Sequence, residues 1–468
     1  MLNANQTPGT QSSATQPSSV VGEERQPAGQ QEETLPEGHP ALEEVNARLS
    51  PVIIAVFALM ICPVASINGQ QIEEHLRVEP GYQSASVCRE CHSGIYRYWA
   101  NSMHALAATG PVFQASYLRA QASYGQNVRE YCLSCHSPTT NMTGDFDLQK
   151  QISREGVTCD FCHTVTGIVN KRPQASFETQ PGNTKYGPYE NLLPAANLEF
   201  QYSPLQQSAI LCSGCHELTS PAGARVLETY SEWHESSYAR KGIQCQNCHM
   251  PELINVPIVD PGIRPSSTSL AHAHEFLGGH SQIRLEKAAS LVLGSRLVNG
   301  KYYVQAFVTN EEAGHKLPTG MPIRKVILTV SLNDASGKVI NAQTREYRKI
   351  VVDKNGVPIT SPERVLMESA AVKSDNRIKP KETRLEQFEF DEEFSERAGI
   401  IRADLKYVFQ ADSTEASAVV IPMTSAMKTT VSTKEPGFGA TIVPALLITV
   451  LLLILVVVIT RLHKYKGR

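Results

Sequence analysis

One five-residue pattern, repeated five times, constrains this chain more than any other feature. It occurs at Cys88/Cys91/His92, Cys132/Cys135/His136, Cys159/Cys162/His163, Cys212/Cys215/His216 and Cys245/Cys248/His249, and it uses ten of the 11 cysteines. Random placement of 11 cysteines and 14 histidines would give about 0.01 copies of C-x-x-C-H per chain, so five copies mark haem attachment. The spacing has a chemical reason. Two thiols three positions apart add across the two vinyl groups of one haem, and the histidine that follows reaches the iron. A disulfide framework has no need of a histidine after each second cysteine. Zinc sites prefer two C-x-x-C pairs per metal without that fixed histidine. Five covalent haems c are therefore expected. Cys62 is left over in an apolar run and reads as inert.

Covalent attachment of this kind takes place outside the cytoplasm, so the chain must be exported. Pro51–Ala65 has the length of a signal-peptide core, with Arg48 before it and small residues after it. Residues 51–69 thus read as a signal peptide or signal anchor. The 50 residues before it are polar and cannot bury a core, so they read as a disordered extension. A membrane helix is expected over residues 439–460, because Ala440–Thr460 carries no charge and about 20 apolar residues span a bilayer. The tail 461–468 follows with Arg461, Lys464, Lys466 and Arg468, which assigns it to the cytoplasmic side. The expected location is therefore a membrane, spanned once at the C-terminus, with the haem region on the periplasmic or cell-surface side. A balance of 43 Lys+Arg against 46 Asp+Glu leaves no basic surplus for phosphates and argues against nucleic acid.

Between these ends the texture changes once. Residues 76–282 hold every C-x-x-C-H, with Pro, Gly and Asn between the motifs, and predict short helices and loops packed around haems. Residues 285–425 predict an antiparallel β-sandwich-like domain. There Tyr302, Val304, Ala306 and Val308 alternate with other residues, as do Val326, Leu328, Val330 and Leu332, and Ala403, Leu405, Tyr407 and Phe409. Asn299-Gly300 and Asn355-Gly356 are turn signals, and residues 426–438 read as a linker. Weak repeats run through the haem region. Trp99–Ala105 matches Trp233–Ala239, with His104 replaced by Tyr238, and Gly156–Cys159 matches Gly242–Cys245.

Each iron would have a motif histidine and a sixth position to fill. Nine histidines lie outside the motifs. His39 falls in the N-terminal extension, His463 across the membrane, His75 ahead of the first motif, and His234 one place off the position of His104 in the repeat. His104, His272, His274, His280 and His315 remain as candidate distal ligands, five for five haems. His272 and His274 are two apart and point the same way in an extended segment, so one of them is free to serve a propionate instead. A helix through Trp99–Ala105 would turn His104 toward a haem. Met103 and Met250 beside motifs read as packing.

The stretch Cys88–Ala105, the motif Gly156-Val-Thr-Cys-Asp-Phe-Cys-His163 and Gly242-Ile-Gln-Cys-Gln-Asn-Cys-His-Met-Pro251 resemble the multihaem cytochrome c superfamily. That group includes the tetrahaem carrier serving hydroxylamine oxidoreductase, that oxidase itself and pentahaem nitrite reductase. The resemblance spans about residues 82–320 and implies closely packed haem pairs, with His104 as a distal ligand. No C-x-x-C-K motif is present, the motifs number five rather than eight, and the β-rich region and membrane tail have no counterpart in those enzymes. The expected function is electron transfer through five haems in a respiratory chain, with redox proteins or membrane quinol-linked donors as partners. The alternative is an oxidoreductase with one five-coordinate haem acting on a small nitrogen or sulfur compound.

Overall fold

The structure is a computed structural model that describes residues 81–169, 176–190, 192–195, 197–262, 270–410 and 418–430. The N-terminal extension, the export segment, the membrane helix and the basic tail all lie outside the described residues. Among the described residues no helix is long and apolar enough to cross a membrane.

The haem region is built from short helices, one at each motif. Helix α1 (Ala85–Arg89) carries Cys88, and His92 caps the start of α2 (Ser93–Ala100). Helix α3 (Pro111–Tyr124) starts on a proline, whose missing N–H costs nothing at a helix start. It leads to α4 (Val128–His136), which ends on the second motif. The third motif forms α5 (Cys159–Cys162), the fourth ends α6 (Ile210–His216), and the fifth forms α8 (Cys245–His249), after α7 (Thr229–His234). On a helical turn, residues three apart share a face, so the two thiols of each motif point the same way. Two-stranded ribbons join these helices, among them Glu217–Thr219 with Arg225–Glu228 and Glu252–Pro257 with Leu270–His272.

The second region is two antiparallel sheets. Strands β1 (Ala289–Val298), β2 (Lys301–Asn310) and β6 (Thr383–Phe390) form one, in the order β6-β2-β1. The other orders β5 (Ala371–Asp375), β4 (Val339–Val352), β3 (Arg324–Asn333), β7 (Ile400–Gln410) and β8 (Ala418–Thr429) as β5-β4-β3-β7-β8. The alternating residues that predict strands all face inward. Tyr302 through Val308, Val326 through Leu332 and Ile401 through Phe409 bury every second side chain in one shared core. Burying each such side chain contributes about 1.5–3 kcal/mol before entropy is counted. Asn299 (φ 50°) and Gly300 (φ 78°) make the two-residue turn between β1 and β2, where both residues need positive φ. Strand β8 reaches Thr429, so the sheet extends into the stretch read as a linker.

The two regions are clamped by buried charge. Lys349 on β4 is 1 % exposed and donates to the carbonyl of Arg225 (2.7 Å) and to Glu228 on the ribbon. Arg377 pairs with Glu232 of α7 at 2.7 Å and with Asp375 at 2.7 Å, and the Arg377 and Glu232 side chains are each 3 % exposed.

Candidate haem sites

Four of the five motif histidines are oriented by backbone carbonyls. His92 Nδ1 bonds Ile258 O (2.6 Å), His136 Nδ1 bonds Ala107 O (2.8 Å), His163 Nδ1 bonds Tyr186 O (2.7 Å) and His249 Nδ1 bonds Leu277 O (2.7 Å). A carbonyl only accepts, so Nδ1 must carry the proton and Nε2 is left as a lone pair for a metal. Three of the candidate distal histidines share this device. His272 Nδ1 donates to Met250 O (2.9 Å), His274 Nδ1 to His272 O (2.8 Å) and His315 Nδ1 to Lys316 O (3.0 Å). His104 Nδ1 is buried with no hydrogen-bond partner.

Two imidazoles sharing one metal have a defined spacing. Metal–nitrogen bonds of about 2 Å, plus about 1.1 Å from each nitrogen to its ring centre, put the centroids about 6.3 Å apart. His104 and His216 lie 6.4 Å apart, and His249 and His315 also lie 6.4 Å apart. His104 therefore faces the fourth motif, not the first motif beside it in sequence. Phe276 packs on the His104 ring at 4.1 Å. Burial and the neighbouring imidazoles push His104 down to about 3, and His216 and His249 down to about 4. These rings are held neutral, which is the form that can ligate.

Among the imidazoles, the charge of His163 acts most on His274, followed by those of His272 and His92. The ribbon that ends on His272 lies against the first motif, where Ile258 O holds His92 and Val256 approaches Gly94. His280 is elsewhere: it is exposed and meets Phe409 of β7 edge-on at 5.6 Å. His234 is exposed beside Tyr230 and Trp233.

The helix expected through Trp99–Ala105 stops at Ala100, and His104 sits in the turns beyond it. The repeat is nevertheless real in three dimensions. Trp99 Nε1 donates to Val157 O (2.9 Å) and Trp233 Nε1 donates to Ile243 O (2.8 Å). Val157 N–H donates to His104 O (2.9 Å), as Ile243 N–H does to Tyr238 O (3.0 Å). Gly156 (φ 65°) and Gly242 (φ 73°) make the same left-handed turn. In the second copy Tyr238 donates to Glu311 O (3.0 Å), and Gly314 packs against Trp233 and Tyr238. His315 follows at once.

The thiols of different motifs also meet. Cys88 lies beside Cys159, Cys135 beside Cys215, and Cys212 beside Cys245. Cys91, Cys132, Cys162 and Cys248 lie outside these three pairs, and Cys248 is half-buried on α8. Its expected bond to a haem vinyl group therefore has no counterpart in these sulfur contacts. That expectation stands on its place three residues after Cys245, on the same face of α8. Burial pushes the Cys91 thiol up, and those of Cys132 and Cys162 up to about 12. Each of the three is held as the neutral thiol. The second motif opens into a mostly apolar cavity of about 150 Å³. Its walls include Cys132, Cys135, His136, Tyr117, Met321 and Met367, and His136 is the one histidine among its lining residues. Phe113 stacks on His136 at 4.0 Å. Fixed tautomers, facing imidazoles and this apolar cavity fit the donor chemistry of haem c.

Residues 87–164 match the family model described as cytochrome c554 and c-prime. The structure of a penta-haem cytochrome c552 from Thermochromatium tepidum superposes with a TM-score of 0.60. It is 20 % identical, and the match covers 75 % of this chain and 99 % of that one. The fold is that of a multihaem c-type cytochrome. No curated protein sequence matches the chain. The structural match extends past the haem region, so the β-sheets are part of what this multihaem cytochrome fold includes.

Proposed function

We propose that this chain is an extracytoplasmic electron carrier with five covalent haems c, tethered by residues 439–460. When bound, haem c supplies a one-electron Fe(III)/Fe(II) couple at each site. The observation that carries the proposal is the facing of His104 on His216 and of His315 on His249, each at 6.4 Å. Imidazoles on both faces leave no coordination position for a substrate. On the same reading His274 serves the third motif, whose His163 acts on it most strongly among the imidazoles, and His272 serves the first motif with His92. Closeness of Cys88 to Cys159 groups the first and third sites, closeness of Cys135 to Cys215 and of Cys212 to Cys245 groups the second, fourth and fifth, and the charge of Cys162 on Cys212 and Cys215 brings the two groups together. His280, set against Phe409, is left outside the ligand set.

A second reading is favoured at one site. The cavity at Cys132/Cys135 offers no second imidazole among its lining residues, so the second motif is where a five-coordinate iron would act on a small nitrogen or sulfur compound. Electron paramagnetic resonance of the oxidised, resting protein separates the two. Only low-spin ferric signals support the carrier. A stoichiometric high-spin signal that responds to nitrite or hydroxylamine supports the enzyme. Pyridine haemochrome absorbance per chain should return five, and a value of three or fewer would sink the count. Protease added outside spheroplasts should remove the haem domain and spare a fragment holding Ala440–Arg468, and full protection of the haem domain would reverse the topology. The donor on this reading is a redox protein or a quinol-linked membrane protein.

A further inference from the structure

The inner face of the five-stranded sheet ends on an arginine. Strand β3 sends Leu332, Val330, Leu328 and Val326 into the core, each fully buried, and the next residue on that face is Arg324. Arg324 pairs with Phe409 across the ladder and Val326 pairs with Tyr407, so Arg324, Tyr407 and Phe409 share one corner of the face. A guanidinium at a core position is expected to hold a carboxylate. Among the described residues none lies within 4.0 Å of Arg324. Its Nη1 donates to Thr319 O at 3.3 Å, its guanidinium lies 5.9 Å from the Phe409 ring centre, and its Nε is buried without a partner.

Tyr407 repeats the anomaly. It is 3 % exposed, yet its hydroxyl is buried with no hydrogen-bond partner. The loop that crosses it can approach only because residue 279 is glycine: a Cβ there would stand 2.6 Å from the Tyr407 oxygen. His280 follows and packs on Phe409. Two unsatisfied donors and a histidine thus converge where the described residues supply no anion, although buried donors are nearly always satisfied. The charge of Arg324 acts on His216, His315 and His280, which sets this corner beside the fourth and fifth motifs.

We propose that Arg324 and Tyr407, flanked by His280, form a cradle for a haem propionate at the boundary of the fourth and fifth sites. The missing acceptor is then a carboxylate of the cofactor. The proposal rests on the multihaem reading and gives the β-domain a second task besides presenting His315. Arg324 offsets the propionate charge and so favours the reduced iron of that haem.

The test uses full-length holoprotein in detergent, with R324Q, R324K and Y407F. Haem per chain by pyridine haemochrome checks the multihaem reading on its own, and a wild-type value of three or fewer would sink that reading rather than this one. With five haems retained, R324Q should make reduction of one haem about tenfold less favourable, a fall of about 59 mV in one midpoint. R324K should keep most of the wild-type potential, and Y407F should shift one propionate-bending band in the resonance Raman spectrum. Unchanged potentials in R324Q together with an unchanged Raman band in Y407F would overturn the proposal. If R324Q loses haem, Y407F decides alone, since it removes one oxygen and leaves the ring. Wild-type potentials that respond to added inorganic phosphate, with no response in R324Q, would assign the corner to a solution anion and also overturn the proposal.

Discussion

Arg377→Met removes the cation at the junction of the two regions, and its consequence can be worked from the contacts. Arg377 forms an ion pair with Glu232 at 2.7 Å and donates to both oxygens of Asp375 at 2.7 and 2.8 Å and to Pro318 O at 3.3 Å. Glu232 in turn accepts from Thr319 (2.6 Å) and from the N–H of Lys316 (3.2 Å). The pair therefore holds the segment Lys316–Thr319 that follows His315. Removing one partner of a buried ion pair strands the other charge, at a cost of about 3–5 kcal/mol. For a domain of this size that is a fall of about 6–20 °C in Tm. Thermal unfolding followed by far-ultraviolet circular dichroism reads the first effect. The second is spectroscopic: as His315 loses its support, a high-spin fraction should appear from one haem. Glu232→Gln together with Arg377→Met should recover part of the loss, because no charge then stays buried against an apolar side chain. A fall smaller than about 1 kcal/mol, or unfolding with the low-spin population intact in the folded baseline, would refute the account.

Three further outcomes follow from the same geometry. His104→Ala and His315→Ala should each leave five haems attached and convert one iron to a high-spin form that binds carbon monoxide, while the double variant converts two. Failure of both to bind carbon monoxide would remove the facing-imidazole assignment. Gly156→Ala should lower expression of holoprotein and loosen the same site as His104→Ala, because a Cβ there would run into His104 O and stand 3.0 Å from Ala105 O, in a residue with φ of 65°. Normal yield with a wild-type spectrum would count against it. Asp375 is pushed up by burial, but Arg377 and Lys316 outweigh this and hold it well below the usual carboxylate range. Its contribution is thus complete above about pH 4, the unfolded value, and is lost as pH falls through the native one. The stability gap between wild type and Arg377→Met should narrow steeply below about pH 4, and a gap constant down to about pH 2 would contradict the pairing.

What the sequence made legible follows physical locality. Haem attachment was readable because thiol, thiol and imidazole act within five consecutive residues. The strands of the β-domain were readable because alternation is a local pattern, and Val326 through Leu332 are buried as that pattern requires. Distal ligation is a meeting of distant segments, and here local reasoning strayed. The helix through His104 ends early because Asn101 Nδ2 caps the carbonyl of Arg97 (2.9 Å), and the chain beyond it wraps over Gly156 instead. His280 is expected as a ligand from its glycine-rich loop; it stands against Phe409, and Gly279 before it lets that loop approach Tyr407. The cavity at His136 shows a site with no imidazole opposite among its lining residues, which counting histidines could not reveal.

The two copies of the tryptophan repeat show why such meetings escape a reading along the chain. Both keep the tryptophan, the left-handed glycine and the carbonyl at the place of His104 and Tyr238, so both build the same scaffold. In the first copy the residue at that place turns its own imidazole toward His216. In the second it is a tyrosine, which fills space and bonds Glu311 O, and the imidazole comes instead from His315 in the loop that packs on it. The imidazole facing the fifth motif is thus delivered by the β-domain, and its placement depends on Glu232 and Arg377, one from each region. Neither region completes that site alone, which is why the buried charge lies at their junction although apolar packing would be cheaper to bury.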